Sequence, residues 1–153
     1  MKIISPGFEI LFGIPDDILQ RLELAGRVCY KSEDRITEDS AHRFVKMIVK
    51  NHHLSVLEHV SISVRIICDR ATTHQLVRHR IASYSQESQR YVKYKDDLSV
   101  VVPQKIKVNE KAFEIFKETI EKIETNYKEL VDSGINPEDA RALLPNACKT
   151  AAR

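Results

Sequence analysis

Six apolar residues, Phe113, Phe116, Ile120, Ile123, Tyr127 and Leu130, recur at spacings of 3, 4, 3, 4 and 3. Only an α-helix gathers such a set onto one face, because about 3.6 residues complete a turn. The stripe therefore commits about 109–132 to one long helix with a side that must be covered. Asn109 is a good N-cap, and Gly134 a fitting stop. The seam can pack within the domain or against another subunit.

The remaining elements are shorter. Lys2–Ser5 and Phe8–Phe12 read as short strands separated by Pro6-Gly7 turn chemistry. Pro15, followed by Asp16 and Asp17, opens a helix to about Tyr30, with Ile18, Leu19, Leu22, Leu24, Ala25 and Val28 as its apolar set. Thr37 caps a second helix whose inward face is Ala41, Phe44, Val45, Ile48 and Val49. Strict alternation makes Val60–Cys68 a half-buried strand. Asp69 caps a short helix through about Arg78, and Val100–Val102 is a strand stopped by Pro103. Asn136-Pro137-Glu138-Asp139 starts a last helix that Pro145 should end. No repeat or linker interrupts the chain, so residues 1–153 read as a single domain. Clustered helices with strands near the start and middle predict an α+β fold, a mixed antiparallel sheet with a helix cluster.

Charge limits the function classes. Lys and Arg number 24 against 22 Asp and Glu, a net +2 that is too small for nucleic-acid binding by bulk electrostatics. Cys29, Cys68 and Cys148 are an odd set with no close pair, which suits a reducing compartment. The opening MKIISPGFEILFGIPDD has only short apolar pieces, so neither a signal peptide nor a membrane span is expected, and the cytoplasm is the default location. His52, His53, His59, His74 and His79 have no metal-helix spacing with a supporting acid, and no metal is expected. The chain has four glycines and lacks both GxGxxG and a Walker loop. Any bound phosphate must therefore be held mostly by side chains.

One segment stands out as chemistry. Residues 78–90, RHRIASYSQESQR, combine Arg78, His79, Arg80 and Arg90 with three serines and two glutamines. Gln75, Arg78 and His79 fall at i, i+3 and i+4, on one helical face. Charge runs are usually solvated surface. The interleaved neutral donors and acceptors favour a ligand site instead, and arginine suits anionic ligands because its planar fork makes paired bonds to phosphate oxygens.

Arg78-His79-Arg80, then Ser88 after seven intervening residues, matches the motif of the flavin-dependent thymidylate synthases, and Arg90 and Tyr91 extend the match. His53-Leu-Ser55-Val-Leu-Glu58-His59 resembles the upstream segment of that family, and Ala140-Arg141-Ala-Leu-Leu-Pro145 its downstream segment. The resemblance implies FAD, deoxyuridylate (dUMP) as substrate, methylenetetrahydrofolate as methylene donor and NADPH as reductant. It implies a homotetramer with sites shared between subunits. It assigns Arg78, His79, Arg80, Gln86 and Ser55 to the flavin. It assigns Gln75, Arg78, Gln86, Glu87, Ser88, Arg90 and Arg141 to the nucleotide, and His53, Arg78 and Ser88 to the reacting centre. Gln86 stands where some members have glutamate. The family continues with further strand and helix, whereas this sequence stops at Lys149-Thr-Ala-Ala-Arg153, so a shortened chain of reduced activity is expected. Two rivals remain: a flavin- or nucleotide-binding module without turnover, and a single-stranded RNA binder using Arg78, Arg80, Arg90, Tyr84, Tyr91 and Tyr94.

Overall fold

A computed structural model describes residues 1–94 and 97–153. In chain order the elements are β1 (Lys2–Ile3), β2 (Gly7–Leu11), α1 (Ile18–Val28), α2 (Ser40–Lys50), β3 (Ser63–Asp69), α3 (Arg70–Leu76), β4 (Ser99–Val100), α4 (Gln104–Lys107), α5 (Glu110–Asp132), α6 (Pro137–Ala140) and β5 (Lys149–Ala152). Single 3₁₀ turns cover Glu33–Arg35, Leu54–His59 and Arg141–Leu143. β1 and β4 pair in parallel, and a three-stranded sheet has the order β2-β3-β5. This is the expected α+β architecture. The chain divides into two compact units, Met1–Glu9 with Arg65–Arg153, and Ile10–Val64.

In the larger unit the seam of α5 does what its spacing demands. Ile120 and Tyr127 are buried, and Phe113, Phe116, Ile123 and Leu130 are half-buried. Ile120 joins Leu98, Val100 and Cys148 in one core, with Phe116 and Leu144 packed against it. The Asn109 side chain accepts from the Ala112 N–H at 2.9 Å. At the other end Gly134 turns left-handed at φ 94°, and the Ile135 N–H reaches the Leu130 carbonyl at 3.1 Å. That is the Schellman closure a glycine permits. The periodicity did not reveal that Glu124 is also buried. Burial alone would push its carboxyl up, but bonds from Lys128, the Met1 ammonium and the Leu98 N–H hold it below its usual value.

β5 pairs antiparallel with β3 from Ile66↔Ala152 to Asp69↔Lys149. The sequence Lys-Thr-Ala-Ala carries little strand propensity, and β5 was not expected. Its position comes from the ladder and from Cys148, whose carbonyl accepts the Arg70 N–H at 3.0 Å. The strand expected at Val100–Val102 is instead Ser99–Val100. Val101 and Val102 are still buried, but the Val101 N–H goes to the Ala147 carbonyl. β3 begins at Ser63, not Val60, and Ile62 is exposed.

The smaller unit is built on α1 against α2. α1 starts at Ile18 after a turn closed by the Ile18 N–H to the Pro15 carbonyl. Leu22, Glu23 and Gly26 form its buried face, while Leu24 and Val28, expected inside, are exposed. The inward face is set by a polar cluster that hydropathy cannot register. Glu23 takes Arg27 at 2.8 Å and the Ser40 hydroxyl at 2.7 Å. The Arg27 guanidinium lies over the Phe44 ring at 4.7 Å. On α2, Ala41, Phe44 and Ile48 are buried as expected, Val45 is half-buried and Val49 is exposed. Thr37 stands one turn ahead of α2, its N–H donating to the Ser40 hydroxyl at 2.9 Å.

Gly26 sets how closely these helices approach. A methyl added there would lie 2.7 Å from the Phe44 ring and 3.1 Å from Val56. Alanine would gain up to ~1 kcal/mol of helix propensity, but overpacking costs ~1–3 kcal/mol. Gly26→Ala is expected to lower the unfolding free energy by about 1 kcal/mol in urea titration. A stabilised variant would show that Phe44 turns aside freely.

Candidate functional site

The polar segment is held between α3 and β5. Asp69 caps α3 through the Thr72 N–H at 2.7 Å and the Thr72 hydroxyl at 2.8 Å. α3 ends at Leu76, earlier than expected, and turn bonds from the Arg78 N–H to Gln75 and from the His79 N–H to Leu76 carry the chain onward. Gln75, Arg78, His79 and Arg80 are all exposed. Arg80 donates to the Val77 and His79 carbonyls of its own turn. Among the described residues the side chains of Arg78 and His79 have no partner. Two exposed groups of this kind, with unused donors and no neighbouring carboxylate paired to them, suit an anionic ligand.

Residues 85–87 run along β5 as an added edge. Ser85 and Arg153 exchange backbone bonds at 2.9 and 2.8 Å, Gln86 faces Ala152, and the Glu87 N–H donates to the Ala151 carbonyl at 2.9 Å. The Gln86 amide nitrogen donates to the Thr73 hydroxyl at 2.7 Å, and that hydroxyl donates to the Arg70 carbonyl at 2.9 Å. Thr73 is fully buried, so both hydrogen-bonding capacities of its hydroxyl are used without water. Arg70 reciprocates, donating to the Glu87 carbonyl at 3.2 Å. Glu87 receives Lys149 at 2.9 Å and the Tyr94 hydroxyl at 3.3 Å. Burial first, and then the Glu87 charge, pushes the Tyr94 phenol up. Gln86 and Glu87 thus hold the segment in place with the same side chains that the resemblance assigns to ligands.

Beyond Ser88 the chain brings Arg90 to α6. Arg90 Nε lies 2.7 Å from Glu138 Oε1, and its pKa is raised by that hydrogen bond and charge. The Arg90 N–H donates to the Ser88 hydroxyl at 3.2 Å. Arg141 Nε donates to the Glu138 carbonyl at 2.9 Å. Arg70, His74, Gln89, Glu138 and Arg141 line a cleft of about 430 Å³. The structure therefore joins Arg90 and Arg141 through Glu138, with Ser88 bonded to the Arg90 N–H, and the cleft beside them adds Arg70, His74 and Gln89. Arg70 and His74 lie on α3, and Glu138 is a first-turn acid of α6. A larger cleft of about 740 Å³ is lined by Lys2, Lys93, Lys128 and Lys149 together with Glu87 and Asp97 and so carries mixed charge.

His53 and Ser55 belong to the smaller unit, at and just inside the 3₁₀ turn Leu54–His59, and both are exposed. Among the described residues no group of three or more His, Cys, Asp or Glu is placed to hold a metal, and no helix is long and apolar enough to cross a membrane.

A family model described as thymidylate synthase complementing protein matches residues 14–152. The flavin-dependent thymidylate synthase of Geobacter sulfurreducens is 42% identical over 135 residues, covering 83% of this chain and 58% of that protein. The one from Pyrococcus furiosus is 40% identical over 124 residues, covering 78% of this chain and 51% of that protein. The chain thus spans about half the length of the curated relatives it matches. A crystal structure of a UMP/dUMP methylase from Streptomyces cacaoi, bound with 5-Br dUMP, superposes with a TM-score of 0.83 at 22% identity, covering 99% of this chain and 73% of that one. At that identity the likeness speaks for the fold.

Two of the three thiols, Cys68 and Cys148, are buried. Burial pushes Cys148 up to about 12 and raises Cys68, while Cys29 is exposed. A folded state that holds a proton the unfolded chain releases is at full strength below the unfolded value and weakens as pH rises through the folded one. Unfolding midpoints are expected to stay level up to about pH 8 and to fall between about pH 9 and 11. Cys148→Ala should lessen that fall, whatever its own midpoint, with Cys68 and Tyr94 sustaining the remainder. A midpoint that climbs over this range would contradict the assignment.

Proposed function

The chain belongs to the thymidylate synthase complementing protein family, and from that premise we infer that it serves FAD-dependent conversion of dUMP to dTMP. The methylene group comes from methylenetetrahydrofolate and the reducing equivalents from NADPH. The assembly is a homotetramer in the cytoplasm, with ligand sites shared between subunits. The observation that carries this reading is that Glu138, which lines a cleft with Arg141, bonds to both Arg141 and Arg90, with Arg78 and His79 exposed nearby in sequence and unpaired among the described residues.

When bound, the flavin supplies hydride transfer, chemistry that no side chain here can perform. The residues on hand fit an anionic dinucleotide: Arg78, His79 and Arg80 are exposed donors, and no glycine-rich cradle is required. The resemblance assigns Ser55 to the flavin and His53 to the reacting centre. Arg90 and Arg141 neutralise the nucleotide phosphate, and Ser88 donates beside them. Gln75 and Arg78 orient the pyrimidine, where a cation stabilises enolate-like charge on the ring. Gln86 and Glu87 fix the segment that carries Ser88 and Arg90. No cysteine nucleophile is needed, in keeping with two buried thiols.

Visible absorption of the purified chain after adding FAD, with and without dUMP, tests the reading. A bound-flavin spectrum that changes on adding dUMP is expected, and thymidylate formation separates an enzyme from a binding module. An unchanged free-FAD spectrum, with RNA bound instead, would favour the RNA-binding alternative. Arg90→Ala is expected to weaken dUMP binding about tenfold or more while leaving FAD binding near normal, because a charge-assisted phosphate contact is lost. Arg78→Ala is expected to weaken both. Calorimetric titration of each variant with each ligand checks this, and equal losses for both ligands in Arg90→Ala would sink the assignment.

A further inference from the structure

Glu138 touches both Arg90 and Arg141. Its carboxylate pairs with Arg90 at 2.7 Å, and its backbone carbonyl accepts from Arg141 at 2.9 Å. The same side chain lines the cleft with Arg70, His74 and Gln89. Both members of the Arg90–Glu138 pair are 48% exposed. An ion pair that open to water is weakly held, so another anion can replace its carboxylate. A phosphate asks the guanidinium for the same thing a carboxylate does, two oxygens facing its N–H groups. A phosphate arriving while Glu138 remains in place would meet that charge, and Asp139 lies at the same rim.

We propose that Glu138 is a placeholder for the phosphate of the nucleotide, holding Arg90 against α6 and giving way when the phosphate arrives. The inference rests on the nucleotide reading above and adds to it a residue that sets selectivity. Every anionic ligand must displace Glu138, and only one that engages Arg90 with comparable geometry recovers the lost contact. A neutral nucleoside has nothing to exchange. Glu138 acts through Arg90 and is a positioning residue.

The test compares the 153-residue chain with Glu138→Gln, Asp139→Asn, Arg90→Ala and the Arg90→Ala/Glu138→Gln double variant. Ligands are dUMP, deoxyuridine and inorganic pyrophosphate, followed by calorimetry at fixed ionic strength. Glu138→Gln is expected to bind dUMP about three- to tenfold more tightly, since a repelling charge is removed at short range. Deoxyuridine affinity is expected not to move. Asp139→Asn removes an equal charge from the same turn without a contact to Arg90, and its gain should stay under about twofold. In the Arg90→Ala background the effect of Glu138→Gln should shrink, which a double-mutant cycle reads directly. Unchanged or weakened dUMP binding in Glu138→Gln overturns the proposal, as does an equal gain in Asp139→Asn. If dUMP binds none of the proteins, the nucleotide reading fails. Pyrophosphate then decides the placeholder separately, and no gain for it in Glu138→Gln overturns that too.

Discussion

Backbone pairing between residues 85–87 and β5 is the contact on which the candidate site depends. Ser85, Gln86 and Glu87 meet Arg153, Ala152 and Ala151 along an otherwise open strand edge. An unpaired strand edge leaves a row of N–H and C=O groups unsatisfied, and this segment covers part of it. The pairing also fixes side-chain direction, because alternate residues point to opposite faces. Gln86 points to the buried Thr73 hydroxyl, and Glu87 to Lys149 and Tyr94. With those two anchored, Arg90 arrives at Glu138 without a regular element of its own.

The cations of the segment divide by environment. Arg70 is spent on the Glu87 carbonyl, Arg80 on its own turn and Arg90 on Glu138. Arg78 and His79 are exposed with no partner among the described residues. Arg80 and Arg90 bond through one nitrogen each and keep further N–H donors, whereas Arg78 and His79 keep all of theirs. This division fits a chain whose net charge of +2 leaves no general anion attraction to draw on. Recognition has to be local, through donors placed one by one.

The smaller unit follows another logic. Its two main helices approach closely because Gly26 has no side chain against Phe44. Glu23, buried at 1% exposure, is tolerated because Arg27 and Ser40 satisfy it and Thr37 in turn donates to Ser40. Removing one member would leave a buried charge short of partners, which is costlier than the pair is favourable. The same helix exposes Leu24 and Val28. Hydropathy alone therefore misreads which side of α1 faces in.

Local rules account for what could be read directly. The 3-4 spacing, the Asn109 cap and Gly134 determined α5, and Asp69 determined the start of α3, because each depends on residues within a turn or two. The motif around Arg78–Arg90 named the residues of interest, since chemistry and spacing are both written in the chain. Tertiary structure decided the rest. β5 exists because β3 and residues 85–87 offer it hydrogen bonds, not because Lys-Thr-Ala-Ala prefers to be a strand. Glu138 meets Arg90 because α6 is carried there from 48 residues further along the chain, a separation no local pattern encodes. Long-range pairing costs chain entropy and is repaid only when the partners meet, so sequence alone determined the long helix α5 and the cast of cations, while α4 was not expected and only the folded chain decided which cations meet which partners.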